Sequence, residues 1–384
     1  MKRLSILLIL SASLLAGLGA QERLAELVPK DPRSMAMGGT FVALSSGYQS
    51  FFGNPASFAD GDREFTLVNA NPWLYISPTT DNIATLQAAA GSTGPDLVNA
   101  LNELITTNGI GAGASAGLGW VGKGLGLGLN ATVDSYVWGK NALGAVGSMD
   151  AQVSIVLGVG FPVKLFGLNL SVGGDIRPYL RMTGPISSTQ LAEIMTGGSI
   201  DGILSGVPVD LGFGLAMDLG ARLDLGRFLT IGMAVRDIST EQRMSSSTFG
   251  EVLDYLGKGD LPPSSQDSSY PVLPNITLGA ALRPLPASIA RVIDLLLLVE
   301  LQDPIGVIVD KQTFWQLLHA GVETEFLNGL FALRAGLNKG YISLGFGLEL
   351  VALKFNVALF TEEMGLRPGD RPRTGVSADF ALRF

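Results

Sequence analysis

A strict alternation of apolar residues with small or charged residues recurs from Glu64 to Phe384. Between Val209 and Leu223, every second residue is apolar, and the residues between them are glycine, alanine, aspartate or arginine. A β-strand points successive side chains to opposite faces, so such a stretch has one apolar face and one small or charged face. A transmembrane β-barrel requires this pattern, because its outside meets lipid and its inside meets water.

Composition favours the same class of protein. Charged residues make up 16% of the chain, and the mean hydropathy is +0.36. The strongest apolar run, Val292 to Leu301, is interrupted by Asp294 and Glu300, so it is too short and too charged for a helical membrane span. An apolar chain without helical spans is expected to cross a membrane as a closed barrel. We therefore predict an all-β fold, a transmembrane antiparallel barrel.

Several chemistries are excluded or disfavoured by residue counts. The chain has no cysteine, which excludes disulfides, lipidated cysteines and thiol metal sites. A single histidine, His319, disfavours histidine-based zinc sites and catalytic triads. The formal charge of −8 without a basic stripe argues against nucleic-acid binding. No carboxylate pair, nucleophile triad or metal cluster stands out, so we predict no enzyme activity, no cofactor and no metal.

The first 20 residues have the layout of a secretory signal. Lys2 and Arg3 are followed by an apolar stretch from Leu4 to Leu15 and by small residues from Ala16 to Ala20. This layout predicts cleavage near residue 20 and export of the chain. An N-terminal membrane anchor is the alternative, although the apolar run is short for a span.

The alternation predicts fourteen strands, each about long enough to cross a bilayer when tilted, which takes about 9–11 residues. The connections between them alternate long and short, as expected for outer loops and periplasmic turns, and the tight Lys339-Gly340 turn is the exception. An even number of strands places both ends of the barrel in the periplasm. The predicted strands are residues 63–77, 111–121, 125–138, 150–162, 167–182, 208–223, 228–238, 272–283, 291–302, 314–326, 329–338, 341–351, 353–361 and 374–384.

Charges and glycines fall on the face opposite the apolar one. A charge on the lipid face costs about 2–4 kcal/mol at the midplane, so the charged residues are assigned to the lumen, where most are expected to form a solvated or ion-paired wall. The inward glycines either keep a pore open or let an internal plug pack closely. The inward charges include Asp175, Arg177, Arg181, Asp294, Glu300, His319, Glu323, Glu325, Arg334 and Glu349, and the glycines include Gly126, Gly128, Gly158, Gly160, Gly212, Gly214, Gly345 and Gly347.

Residues 21–62 do not alternate and are too few for a domain with its own core. They contain the backbone-permissive pair Gly38-Gly39 and the turn-forming pair Asn54-Pro55. A compact segment inside the barrel is the economical prediction, and a disordered periplasmic tail is the alternative. The predicted organisation is a signal peptide (1–20), an N-terminal plug (21–62) and the barrel (63–384).

Two short motifs in this segment resemble a known family. Ala36-Met37-Gly38-Gly39 precedes Ala43-Leu44, and Phe52 precedes Asn54-Pro55-Ala56. This order resembles the FadL family of outer-membrane transporters for hydrophobic molecules. The resemblance implies a fourteen-stranded barrel plugged by a hatch that contains Gly38, Gly39, Asn54, Pro55 and Ala56. A PorV-like branch of secretion-system proteins shares the same motifs, so they do not decide the cargo.

The closing strand carries a second resemblance. Phe380, Leu382 and Phe384 alternate with Asp379, Ala381 and Arg383 and face outward. A terminal phenylalanine after such a strand resembles the C-terminal signal that the outer-membrane assembly machinery recognises. The expected location is the bacterial outer membrane, with membrane lipids and that machinery as partners.

Three outer loops show amphipathic helix patterns. The resemblance implies that such helices form an apolar groove that collects ligand above the barrel. The alternative is that they only pack together and close the barrel mouth. The predicted groove residues are Leu97, Leu101, Leu104 and Ile105 in the first loop and Leu191, Ile194 and Met195 in the second, and Phe249, Val252, Leu253 and Leu256 form a third apolar face.

The resemblance implies passive, hatch-gated diffusion of hydrophobic small molecules, with long-chain fatty acids as the family's best-known cargo. A fatty-acid carboxylate requires a cationic partner, for which Arg177, Arg181 and Arg334 are the inward candidates. A PorV-like adaptor that binds secreted or partner proteins is the alternative. A third hypothesis is an open general porin, but the plug motif argues against it.

Overall fold

The alternating segments pair with their neighbours in sequence and form a closed antiparallel barrel in the computed structural model. The structure describes residues 24, 27–92, 95–141, 144–195, 205–239, 241–260 and 268–384. The predicted signal peptide, residues 1–20, lies outside the described residues. The strands are β1 (Arg63–Tyr75), β2 (Ile110–Gly122), β3 (Leu125–Trp138), β4 (Val146–Leu165), β5 (Leu168–Ile186), β6 (Pro208–Leu225), β7 (Leu229–Ile238), β8 (Glu241–Thr248), β9 (Ser268–Pro271), β10 (Asn275–Leu282), β11 (Ile293–Gln302), β12 (Leu318–Phe326), β13 (Phe331–Asn338), β14 (Tyr341–Leu350), β15 (Leu353–Glu363) and β16 (Pro372–Arg383).

Fourteen of these strands form the ring. Strand β1 pairs with both β2 and β16, which closes the barrel. Strands β5 and β6 pair along most of their length, and β7 pairs with β10 on its far side. The predicted fold class is therefore confirmed, and all fourteen predicted strands are in the ring, with ends that differ by a few residues.

Strands β8 and β9 are additional and were not predicted. They lie in the longest outer loop, where β8 takes over pairing with the outer end of β6 (residues 208–211) after β7 has ended. The sequence of β8 includes Ser245, Ser246 and Ser247 and has no apolar alternation. Its strand conformation is imposed by the free edge of β6, because an unpaired edge offers hydrogen-bonding groups to a neighbouring chain.

The connections follow the predicted division into long loops and short turns. The tight Lys339-Gly340 turn is present on the outer-loop side, and both residues have positive φ, which a two-residue hairpin of type I′ requires. No helix in the described residues is long and apolar enough to cross a membrane. The helices are α1 (Pro32–Ala36), α2 (Thr80–Gly91), α3 (Pro95–Thr107), α4 (Ser188–Met195), α5 (Phe249–Lys258), α6 (Ala287–Ala290) and α7 (Pro304–Val309), with 3-10 turns at Gly47–Phe51, Pro55–Ala59 and Phe314–Gln316.

The two faces of the wall have the predicted characters. On β3, Leu125, Leu127 and Leu129 are exposed on the outside, whereas Asn130 and Thr132 are buried on the inside. The outer face is a continuous apolar surface, as a lipid-facing wall requires.

Candidate functional site

The N-terminal segment, residues 27–62, lies in the lumen of the barrel. Near the outer-loop end, the Lys30 ammonium is 2.8 Å from Glu362 Oε1 on β15. Near the turn end, Asp60 forms an ion pair with Arg222 on β6. The segment therefore extends along the lumen between two opposite parts of the wall before the chain enters β1.

Glycines on the inner face make room for the aromatic residues of the segment. A Cβ atom built on Gly158 would lie 2.2 Å from the ring of Phe58, and one on Gly126 would lie 2.4 Å from the same ring. Cβ atoms on Gly119 and Gly128 would lie 2.6 and 2.7 Å from Phe51. Interiors are close-packed, so these positions exclude any larger residue. Of the two interpretations of the inward glycines, the structure supports close packing against an internal segment.

The Gly38-Gly39 pair brings the backbone of the segment directly against the wall. Both glycines have positive φ, 74° and 84°, a conformation that L side chains rarely adopt. A Cβ on Gly38 would lie 2.4 Å from the Leu337 carbonyl oxygen on β13. The Gly38 carbonyl oxygen is 2.6 Å from His319 Nδ1, so His319 lies on the predicted inner face and is buried against the backbone of the segment.

Asn54 connects three parts of the structure through its side chain. Its amide nitrogen Nδ2 donates to the carbonyls of Val42 and Ala221, both at 3.0 Å, and its Oδ1 accepts from the Ala56 amide at 3.0 Å. The last bond caps the 3-10 turn that begins at Pro55. The Asn-Pro-Ala triplet thus shapes the end of the segment and binds it to β6, and all three residues are buried.

Buried carboxyl groups of the wall bind the first half of the segment. Glu323 accepts two hydrogen bonds from the Arg33 guanidinium at 2.6 and 2.9 Å, and this carboxylate raises the pKa of Arg33 above its usual value. Glu300 Oε1 accepts the backbone amides of Phe41 and Val42 at 2.8 and 2.6 Å. Charge-assisted hydrogen bonds of this kind are stronger than neutral ones.

The three arginines proposed as partners of a ligand carboxylate are already paired. Arg177 is ion-paired with Asp218 and Asp237, and Arg181 Nη2 is 2.8 Å from Asp150 Oδ1. Arg334 Nε is 2.5 Å from Glu323 Oε2, beside Arg33. The geometry argues against their role as ligand partners, because a ligand carboxylate would have to displace a wall carboxylate from each of them.

A small pocket lies between the segment and the wall. It has a volume of about 40 Å³ and is lined mainly by apolar surface from Val28, Pro29, Phe41, Tyr48 and Phe52, with Asn69, Asn71 and Ser115 from the strands. A water molecule occupies about 30 Å³ in the liquid, and ligand pockets measure about 300–1,000 Å³. This pocket therefore admits a hydrophobic ligand only after the segment moves.

The predicted groove residues on α3, in the first outer loop, pack against the rim of the wall. Ile105 of α3 is buried against Val137 and Ala145, and Leu101 packs on the same cluster. Leu104 is also buried, whereas Leu97 is half-buried. This packing agrees with the alternative prediction that α3 closes the rim. The side chains of Leu191, Ile194 and Met195 on α4 lie outside the described part of the structure.

The third amphipathic helix, α5, has a different position from the one predicted. Instead of lying above the barrel mouth, it packs on the outer face of the wall. Its Val252 and Phe249 contact Val209, Leu211 and Met182. These wall residues belong to the outward-facing set, so the apolar face of α5 is satisfied by the wall of the barrel and not by another loop.

The closing strand has the predicted outward residues. Phe380 and Phe384 are exposed on the outside, and Leu382 is half-buried. The Phe384 amide and carbonyl pair with Phe65 on β1 at 2.9 and 2.8 Å. The aromatic end of β16 thus lies at the seam where the ring closes. Recognition of these residues by an assembly machinery stays a prediction.

Comparison with known proteins gives a match in fold alone. No protein-family model matches the chain, and no curated protein matches it. Among solved structures, the CymD monoaromatic hydrocarbon channel aligns with a TM-score of 0.52 and 12% identity over 94% of this chain and 98% of that chain. The Ralstonia pickettii toluene transporter TbuX aligns with a TM-score of 0.50 and 13% identity over 92% and 98%. A Pseudomonas aeruginosa FadL homologue aligns at 0.49 and 13% over 94% and 99%.

This chain has the FadL-type barrel fold. The resemblance seen in the motifs is therefore confirmed at the level of architecture. The two matches with a TM-score of 0.50 or more are described as a monoaromatic hydrocarbon channel and a toluene transporter.

The sequence analysis did not predict that Lys30, Asp60 and Glu362 form ion pairs between the segment and the wall. The alternation places Arg222 and Glu300 inside the barrel, but it carries no information about which residue of a non-alternating segment meets them. Glu362 lies at the end of β15, beyond the predicted strand.

Proposed function

We propose that the chain carries hydrophobic small molecules across the bacterial outer membrane by passive diffusion, with residues 27–62 as the hatch. The observation that carries the proposal is the hatch itself: a separate segment fills the lumen, packs into glycines of the wall and leaves a pocket of about 40 Å³ beside its apolar residues. A filled lumen limits the flow of water and ions, and movement of the hatch would open a path lined by apolar hatch residues.

The cargo is proposed at two levels. The apolar hatch pocket supports hydrophobic molecules in general, and the solved structures with this fold include a toluene transporter and a monoaromatic hydrocarbon channel. Long-chain fatty acids are the finer proposal, taken from the motif resemblance. The pairing of Arg177, Arg181 and Arg334 favours uncharged molecules over carboxylates.

A crosslink between hatch and wall tests the gating step. Ala36 on α1 packs against Ala358 on β15, and the chain has no native cysteine, so Ala36→Cys and Ala358→Cys together create one reactive pair. Bridging the pair with a short reducible bis-thiosulfonate should abolish uptake of toluene and oleate into cells, because the hatch cannot leave the lumen. Reduction should restore uptake.

A cysteine pair within the wall is the matched control. Leu344→Cys and Leu359→Cys face each other on β14 and β15 and should be bridged without effect on uptake. Undiminished uptake in the bridged hatch variant would refute hatch gating. The adaptor hypothesis makes a different prediction. Cells that contain the protein would take up no more ligand than cells that lack it, and another protein would co-purify stably with it.

A further inference from the structure

Helix α5 covers part of the lipid-facing side of the barrel. On the outer face of β6, Val209 and Leu211 are 2% and 7% exposed, whereas Phe213 and Leu215 on the same face are 62% and 56% exposed. The difference arises because Val252 of α5 packs on the first two residues. The helix therefore lies outside the barrel, at the outer end of the lipid-facing wall.

An apolar pocket of about 470 Å³ lies between α5 and the wall. Almost all of its surface is apolar, and its volume falls within the range of about 300–1,000 Å³ that is typical of ligand sites. Leu253 and Leu256 of α5 remain half-exposed at its edge. Its outward-facing wall residues are Ala112, Val133, Ser135, Met149, Ala151, Val153, Leu180, Met182 and Leu211, with Phe249 and Val252 from the helix.

The wall behind the pocket is closed. Val133 pairs with Ala151 between β3 and β4, Ala151 pairs with Met182 between β4 and β5, and Met182 pairs with Leu211 between β5 and β6. The pocket is therefore separated from the hatch and the lumen by paired strands. It belongs to the lipid side of the protein and not to the transport path.

The position of the pocket along the strands matches the outer edge of the hydrocarbon layer. On the outward face of β4, the exposed apolar residues run from Val153 to Val163, a length close to the roughly 9–11 residues that a tilted strand uses to cross the layer. Met149 and Ala151 follow directly on the outer side. Helix α5 exposes Glu251, Asp254 and Lys258 on its other face, as amphipathic helices at a membrane interface do.

We propose that α5 and the outer wall form a binding site for one acyl chain of an outer-leaflet lipid. The site is continuous with the lipid-facing surface, so acyl chains surround its opening at high concentration. Its apolar lining gains free energy when a chain replaces water, because burial of apolar surface is favourable. The polar face of α5 then lies among the lipid headgroups and keeps the loop on the membrane.

Photo-crosslinking in nanodiscs tests the proposal. The full chain is reconstituted in phosphatidylethanolamine whose acyl chain carries a diazirine, irradiated, and mapped by peptide mass spectrometry. Adducts should concentrate on α5 and on the pocket residues of β3 to β5, above the level on outward residues of β13. Ala151→Trp should fill the pocket and reduce these adducts to that level, whereas Ala335→Trp, outward on β13, should leave them unchanged.

A second variant leaves the wall intact. Leu256→Gln places an amide at the pocket edge and should also lose the adducts, while the folded barrel persists as judged by its heat-dependent gel mobility. Adducts spread evenly around the barrel would overturn the proposal.

Discussion

At the scale of single residues, the hatch depends on polar side chains that work in an apolar setting. Asn54 is fully buried and uses both its donor and its acceptor atoms, to Val42, Ala221 and Ala56. A buried carbonyl that loses its donor costs free energy, because water cannot replace the lost bond. Glu300 acts as an acceptor and not as a donor: its carboxyl group accepts hydrogen bonds from two backbone amides of the hatch.

Replacement of Asn54 by aspartate should loosen the hatch. Asn54→Asp keeps the shape and the bond to the Ala56 amide but removes both donors, which leaves the carbonyls of Val42 and Ala221 facing a carboxylate. We expect a loss of about 1–3 kcal/mol for each stranded acceptor. Faster amide hydrogen exchange in residues 42–56 would measure it. Exchange rates equal to those of the native chain would contradict the role of Asn54.

Asn141 in an outer loop is the matched control for this substitution. Its side chain accepts a bond from the Gly144 amide at 2.7 Å through Oδ1, and an aspartate retains that acceptor. Asn141→Asp should therefore leave exchange in the hatch unchanged.

At the scale of elements, the hatch and the wall are complementary surfaces. The wall supplies glycines where the hatch supplies large rings or backbone, as at Gly158 beside Phe58 and at Gly173 beside the Pro55 carbonyl. Glycine is unfavourable in a strand because it has no side chain to pack and loses more entropy. Here the hatch compensates, because its side chains fill the space that the strands leave empty.

A single methyl group should disturb this fit. Gly158→Ala puts a Cβ within 2.2 Å of the Phe58 ring, and overpacking of this kind costs about 1–3 kcal/mol. We expect displacement of Phe58 and a rise in ion leak through planar bilayers. Gly61→Ala is the control, because a Cβ at Gly61 meets no atom within 4 Å. Equal leak in the two variants would show that the glycines do not fit the hatch.

At the scale of the whole molecule, the strands form a closed ring and the hatch occupies its lumen. Each ring strand pairs with two neighbours, and a closed barrel avoids the free edges of an open sheet. Removal of the hatch would leave an inner wall lined by charged and polar residues, which include Arg181, Glu323 and Asp379. Such a lumen fills with water.

Deletion of residues 27–60 should convert the protein into an ion-conducting pore. The full chain should conduct little in planar bilayers, and the deletion variant should give stable, stepwise currents, because water and ions then enter the lumen. Heat-dependent gel mobility verifies that the shortened barrel is folded. Conductance in the full chain equal to that of the deletion variant would favour an open general porin.

The alternation by itself determined the fourteen ring strands and which residues face lipid, because the period of two is a local property of a strand. The short turn at Lys339-Gly340 could also be predicted from the sequence, because a single residue pair determines a turn of this kind. The motifs Gly38-Gly39 and Asn54-Pro55-Ala56 indicated a hatch but not its contacts.

The tertiary structure alone decided what the inward residues do. The inward glycines were compatible with an open pore or with a plug, and the choice depends on where a non-alternating segment lies. The pairing of Arg177, Arg181 and Arg334 depends on carboxylates from other strands or from distant positions. Helix α5 was predicted from its periodicity, but an apolar helical face does not specify the surface against which it packs. Its place on the outer wall follows from the pairing of β8 with β6, a long-range contact that no local pattern encodes.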